Sequence, residues 1–204
     1  MDEKLRIKVI LGSVRNGRFG ERPALWVYDY LSGLEGVEAE LLDLKEYPMP
    51  LFDSEISPAW ANRKYNNEVV QRWSAKIDAA DGYIIVSPEY NHGYSSAIKN
   101  ALDWIGPEWY RKPVGFVSYG SAGGARAIEQ LRGVAIELKM VPISRSIHIP
   151  WEFIMKAVNN KEIKNDELLG PLRKTGGGDL LQIFVDDLLW MTRAMKPARE
   201  SATK

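Results

Sequence analysis

Apolar residues along this chain switch repeatedly between short unbroken runs and a helical spacing. Leu5 to Leu11 (LRIKVIL) is a β-branched run that stops at Gly12-Ser13, which is how a buried strand meets a loop. After a polar, glycine-bearing stretch, Pro23 sits where a first-turn proline would, and Leu25, Tyr28 and Leu31 recur at helical spacing until Gly33. Val37 to Leu44 predicts a second strand, and Pro48, Pro50 and Pro58 then predict a long surface loop. Val69, Val70, Trp73 and Ile77 form one helical stripe ahead of a nearly continuous apolar run, Gly82 to Ser87. The alternation continues with a helix over Ser95 to Ile105 and a strand over Pro113 to Tyr119. Ile128, Leu131, Ala135 and Leu138 stripe the next helix, and Val141 to Ile149 supplies a fifth strand. Polar residues Asn159 to Asn165 and then Gly176-Gly177-Gly178 separate a last helix, on which Leu181, Phe184, Leu188 and Met191 share a face.

Strands alternating with helices predict an α/β fold with a doubly wound, mainly parallel sheet and helices on both faces, since parallel neighbours need right-handed crossovers. Ligands of such sheets bind beyond the carboxyl ends of the strands, so the loops after strands one, three and four carry the chemistry. No repeat or linker interrupts the pattern. One domain over residues 1–204 is expected, with a core from about residue 5 to about residue 195 and a tail whose Lys196, Arg199 and Lys204 read as solvated charge.

Composition narrows the chemistry. Lys plus Arg (27) balances Asp plus Glu (27), so the basic field of a nucleic-acid binder is absent. There is no cysteine, which removes thiolate nucleophiles, Cys zinc sites and cysteine-ligated clusters, and points to the cytoplasm. The only histidines are His92 and His148, without metal-ligand spacing, and no metal site is expected. No apolar run approaches a membrane span, and no membrane partner is expected.

The first loop, Gly12-Ser13-Val14-Arg15-Asn16-Gly17-Arg18-Phe19-Gly20, joins a strand end to a helix start. Glycines expose backbone N–H groups, a helix N-terminus adds partial positive charge, and Arg15 and Arg18 add cations, which together make an anion cradle. Arg18-Phe19 replaces the Lys-Ser or Lys-Thr of a triphosphate loop, and Val14 replaces the second glycine of a dinucleotide loop, so a terminal monophosphate suits it better. The second segment runs from Ser87-Pro88-Glu89-Tyr90-Asn91-His92-Gly93 to Trp104; Tyr90 offers a flat face and Asn91 a turn or a heterocycle contact. The third, Ser118-Tyr119-Gly120-Ser121-Ala122-Gly123-Gly124-Ala125-Arg126, has the small residues that let a planar ring approach the backbone. Each segment alone also reads as an ordinary turn into a helix.

Together GSVRNGRFG, SPEYNHGYSSAIKNALDW and SYGSAGGARAIEQLR resemble the NAD(P)H-dependent FMN reductase family of flavodoxin-like proteins, in order and over roughly residues 5 to 150. The resemblance implies strand order 2-1-3-4-5, bound FMN, and electron transfer from NADPH or NADH through the flavin N5 to flavins, quinones, azo compounds or metal oxyanions, with ping-pong kinetics and no catalytic residue of the protein's own. It also implies a homodimer or homotetramer, for which Trp60, Trp104, Trp109 and Trp151 are candidate interface residues. By position, Ser13, Arg15, Arg18, Phe19 and Gly20 would hold the phosphate. Pro88, Glu89, Tyr90 and Asn91 would line the isoalloxazine, with Ser118, Gly120, Gly123 and Gly124 on its other edge. The alternatives are a non-enzymatic FMN-binding electron carrier or redox-regulatory module, against which zero net charge speaks mildly, and a binder of some other phosphorylated ligand.

Overall fold

Ile7, Val9 and Leu11 pack into one apolar cluster and Ile10 into another, because alternate residues of the first strand face opposite sides of a sheet covered on both faces. The computed structural model describes residues 3–174 and 178–201. In chain order its elements are β1 (Leu5–Leu11), α1 (Glu21–Ser32), β2 (Val37–Asp43), α2 (Glu68–Asp78), β3 (Gly82–Pro88), α3 (Ser96–Asp103), β4 (Pro113–Tyr119), α4 (Ala125–Glu137), β5 (Val141–Ile149), α5 (Trp151–Asn159), α6 (Asn165–Arg173) and α7 (Leu180–Ser201). The five strands are all parallel, in the order β2-β1-β3-β4-β5. The doubly wound architecture and strand order thus agree with expectation. Helices α1, α6 and α7 close the Ile7 face, and α2, α3 and α4 the Ile10 face.

Three strand boundaries coincide with the apolar runs of the sequence: Leu5–Leu11, Pro113–Tyr119 and Val141–Ile149. The long loop after β2 is also observed, and it is pinned to α3: Asn100 Nδ2 donates to the Pro50 carbonyl (2.8 Å), as does Trp104 Nε1 (2.7 Å).

Four expectations need correction. Leu25 is 38% exposed, and α1 turns Ala24, Val27 and Leu31 inward instead; the two stripes differ by a fraction of a turn, and packing decides between them. Trp104 and Trp109 are buried in the core and are not interface candidates, whereas Trp60 and Trp151 are exposed. The polar spacer around residues 159–165 lies between two helices, α5 and α6, and Leu168, Leu169 and Leu172 of α6 join the core; of the triple glycine, Gly176 and Gly177 fall outside the described residues.

The fourth concerns the C-terminal charges. Helix α7 continues through Pro197 to Ser201, and Lys196 and Arg199 are bound to a carboxylate rather than solvated. Asp81, fully buried, accepts from Lys196 Nζ (3.2 Å), an Arg199 guanidinium N–H (2.7 Å) and the Arg6 backbone N–H (3.0 Å). Burial alone would raise its pKa, but these donors hold it below the ordinary carboxylate range. Lys204 lies outside the described residues. Among the described residues no helix is long and apolar enough to cross a membrane, and no His/Asp/Glu cluster is arranged to hold a metal.

Candidate functional site

Because β1, β3 and β4 are adjacent and parallel, the loops that leave their carboxyl ends meet at one edge of the sheet. The first begins at Gly12, whose N–H donates to the Val86 carbonyl (2.9 Å); a Cβ there would collide with Ile98 and lie 2.8 Å from that carbonyl. Ser95 ties the same residue to α3: its hydroxyl donates to the Gly12 carbonyl (2.6 Å) and accepts from the Ile98 N–H (3.2 Å) as the helix cap. Ser13 is fully buried, with Oγ 2.7 Å from Tyr90 Oη. Val14 to Gly17 are exposed, and the Arg15 guanidinium lies 5.6 Å from the centre of the Tyr90 ring.

Arg18 is used differently from expectation. Its guanidinium donates to Glu21 Oε1 (2.9 Å), the Ser13 carbonyl (2.5 Å), Asp43 Oδ1 (2.7 Å) and Asp43 Oδ2. Four of its five N–H donors are therefore committed within the protein. Burial raises the Asp43 carboxyl, but Arg18 and the Lys45 N–H hold it below its ordinary value. Arg18 thus staples the first loop to the end of β2.

Phe19 packs edge-on against Tyr119, ring centres 5.2 Å apart. A Cβ at Gly20 would lie 2.6 Å from Tyr119 Oη, so the start of α1 rests directly on that hydroxyl. Tyr119 is buried, and its Oη makes no hydrogen bond of good geometry among the described residues, although the Ser13 hydroxyl is near enough to oppose the rise in its pKa. Burial raises its pKa above the ordinary tyrosine range, so it remains a neutral donor.

After β3, which ends with buried Pro88, the chain makes a two-residue turn with Asn91 (φ 50°) and His92 (φ 73°) at its centre. Tyr90 and Gly93 close it by exchanging N–H···O bonds of 2.8 and 3.1 Å. This is type I′ geometry, and Asn is among the few non-glycine residues suited to its first central position. Glu89, placed by expectation against a ring, instead turns beneath the loop and caps α4: Oε2 accepts from the Arg126 N–H (3.1 Å) and Oε1 pairs with the Arg126 guanidinium. Burial raises its carboxyl, and the Arg126 bond and charge overcome this to leave it low.

The third loop turns through Gly123 (φ 64°) and Gly124 (φ 78°), left-handed conformations that favour glycine. A Cβ on Gly124 would sit 2.6 Å from Ser118 Cβ and 2.8 Å from the Tyr119 nitrogen, and one on Gly120 3.1 Å from Glu89 Cβ. Ser118 donates inward to the Gly123 carbonyl (2.8 Å) and lies 3.0 Å from His148 Nδ1.

The structure therefore gathers Ser13, Arg15, Phe19, Gly20, Tyr90, Asn91, Gly120, Gly123 and Gly124 at one edge, while the polar groups of Arg18, Glu89 and Ser118 bond inward behind it. Two members were not anticipated. Tyr119 is a strand-terminal aromatic just before a glycine turn, a signal the sequence does carry; Asp43, distant in sequence, leaves none. Beside the first loop lies an apolar recess of about 260 Å³ lined by Val14, Leu44, Tyr47, Pro48, Met49 and Ala97, with Lys45 and Asn100 at its rim.

Known proteins resemble this chain in sequence and in fold. The sequence pattern of the NADPH-dependent FMN reductase family matches residues 5–151. An NAD(P)H-dependent FMN reductase of Schizosaccharomyces pombe is 34% identical over 181 residues, spanning 88% of this chain and 90% of its own. A quinone reductase of Escherichia coli is 29% identical over 171 residues, 79% and 82% of the two chains. Among solved structures, the flavoenzyme NAD(P)H:(acceptor) oxidoreductase FerB of Paracoccus denitrificans superposes with a TM-score of 0.67 at 22% identity, covering 93% of this chain and 98% of its own, a likeness of fold. The matched span holds all three loops, and on these grounds the chain belongs to the NADPH-dependent FMN reductase family, oxidoreductases with FMN as cofactor and NAD(P)H as reductant.

Proposed function

We propose that the three loops hold FMN with its phosphate in the first loop, and that the enzyme passes electrons from NAD(P)H to planar organic acceptors, quinones foremost. The observation that carries the phosphate assignment is the buried hydroxyl of Tyr119, without a hydrogen bond of good geometry among the described residues, under the glycine-bearing start of α1. A buried donor without a partner costs free energy, which a ligand oxygen at that place would recover. Arg15, exposed and free of any carboxylate partner among the described residues, supplies the mobile cation. Tyr90, fixed by Ser13 and the type I′ turn, with Pro88 and Asn91, forms one wall for the ring, and Gly120, Gly123 and Gly124 let the third loop, as the other wall, pack closely against Glu89, His148 and Ser118. Phe19 and Gly20 set the floor. Arg18, Glu89 and Ser118 are positioning residues that keep the loops in place from behind.

FMN, when bound, supplies the two-electron chemistry that no side chain of this protein provides. The protein's part is to orient the flavin and admit donor and acceptor in turn. Support for quinones comes from the named quinone reductase relative and from the apolar recess beside the first loop. Flavins, azo compounds and metal oxyanions are further acceptors in this reading. Initial rates measured over a grid of NADPH and quinone concentrations test it: parallel double-reciprocal lines are expected of a ping-pong cycle, and intersecting lines refute it. Flavin that exchanges electrons without catalytic turnover would make the protein a carrier instead.

The same reading places the protein in the cytoplasm, in keeping with the absence of cysteine, as a homodimer or homotetramer. Its support for assembly is the loop after β2, where Leu51 is 80% and Trp60 79% exposed. A monomer mass by light scattering at micromolar concentration would refute the assembly.

A further inference from the structure

At the amino ends of the strands, the edge opposite the three loops, a recess of about 380 Å³ opens between α2, the chain entering β4, the turn before β5 and the end of α7. At about 30 Å³ per water it has room for about a dozen waters. Arg63, Arg111, Lys112, Lys139 and Arg199 line it together with the carboxylates Asp78 and Glu200. Part of this charge is spent: Arg63 pairs with Asp78 at 3.0 Å, and Arg199 with Asp81. Arg111 and Lys139 have no carboxylate partner among the described residues; Lys139 lies 4.5 Å from the centre of the Tyr110 ring, which forms part of the wall.

Two features set this recess apart from an ordinary solvated basic face. Arg63, Arg111 and Lys139 hold φ values of 57°, 58° and 53°, Lys139 as the left-handed residue that ends α4, and these turns bring the three cations around one opening. Arg111 and Lys139 are also tied to each other, the Arg111 N–H donating to the Lys139 carbonyl at 2.8 Å, so two like charges sit side by side on adjoining segments. Second, Lys112 is 3% exposed, its ammonium donating to the Ile77 and Asp78 carbonyls at 2.8 Å each. Burial pulls its pKa down to about 7, with Arg199 and Arg63 adding to the fall and Asp78 and Asp81 opposing it. Two neighbouring cations without a carboxylate partner among the described residues, beside a concave space, suit a multiply charged anion.

We infer that this recess is a second ligand site, separate from the flavin edge, which binds a phosphate-bearing anion between Arg111 and Lys139. Arg111 offers a planar fork to two oxygens, Lys139 a movable ammonium, and Tyr110 a surface for whatever the phosphate carries.

The test uses the FMN-loaded protein, so that the flavin phosphate loop is filled, titrated calorimetrically with inorganic pyrophosphate at fixed ionic strength. A parallel titration uses ADP. Arg111→Asn together with Lys139→Asn removes both charges with a residue that tolerates positive φ, and its melting temperature and flavin content report whether the fold survives. Saturable pyrophosphate binding weakened at least tenfold in the double variant is the expected result. Tighter binding of ADP than of pyrophosphate, lost in the same variant, assigns the recess to a phosphate ester; equal affinities assign it to the inorganic ion. Absence of saturable binding, or equal affinity in a folded double variant, overturns the proposal.

Discussion

The hydroxyl of Tyr119 lies under Gly20, 2.6 Å from where a Cβ would stand, and makes no hydrogen bond of good geometry among the described residues. This gives opposite signs to two effects of one substitution. Tyr119→Phe should leave the apoprotein as stable as before or more so by about 1 kcal/mol, because an unsatisfied buried group is removed. FMN affinity should fall roughly tenfold or more, one hydrogen bond to a charged group being worth about 1.5–3 kcal/mol. Thermal melts of the apoprotein and flavin fluorescence titrations check both halves.

Arg15 and Arg18 should separate cleanly. Arg15→Ala is expected to weaken FMN retention with a melting temperature close to the parent, since among the described residues its guanidinium lies over the Tyr90 ring and pairs with no carboxylate. Arg18→Ala should lower both, because it leaves Asp43 without its partner and frees the first loop; a stability loss of about 1–3 kcal/mol is expected. Equal behaviour of the two variants would contradict their different roles.

Gly124→Ala combines a left-handed backbone with a Cβ 2.6 Å from Ser118 Cβ. The third loop has to move, so FMN binding should be lost along with about 1–3 kcal/mol of stability. Flavin content after purification reads the first effect, and urea unfolding the second.

Asp81 makes the C-terminal helix part of the core. Removing it by Asp81→Ala takes the buried carboxylate away from Lys196, which keeps Glu3 at 3.2 Å, and from Arg199, and should cost about 3 kcal/mol. The native pKa is depressed, so this stabilisation is complete above the unfolded carboxyl pKa of about 3.9 and is lost as pH falls through the lower native value. The difference between parent and variant in acid unfolding should therefore begin to shrink below about pH 4 and close only below the depressed native pKa.

How far the sequence discloses this molecule follows from the range of its interactions. The strands were legible because β-branched runs such as Leu5–Leu11 and Val141–Ile149 carry their signal locally. So was the helix expected from Ser95, whose start is fixed locally by a capping serine that acts only a few residues away. Arg18 looked like a phosphate ligand because its partner Asp43 is brought to it only by the pairing of β1 with β2. Lys196 and Arg199 looked solvated for the same reason: Asp81 reaches them only once α7 lies across the sheet. Glu89, too, has its partner on another element, at the start of α4. A charge whose partner is remote in sequence reads as free.

The most direct test of the flavin cradle is the visible spectrum of the purified protein and of Tyr119→Phe, each loaded with FMN and then treated with NADPH under anaerobic conditions. The account predicts that the parent holds FMN through gel filtration and bleaches on NADPH addition, whereas the folded variant loses flavin on the column. A parent that stays colourless after FMN is supplied, or a variant that retains flavin as tightly as the parent, would contradict it.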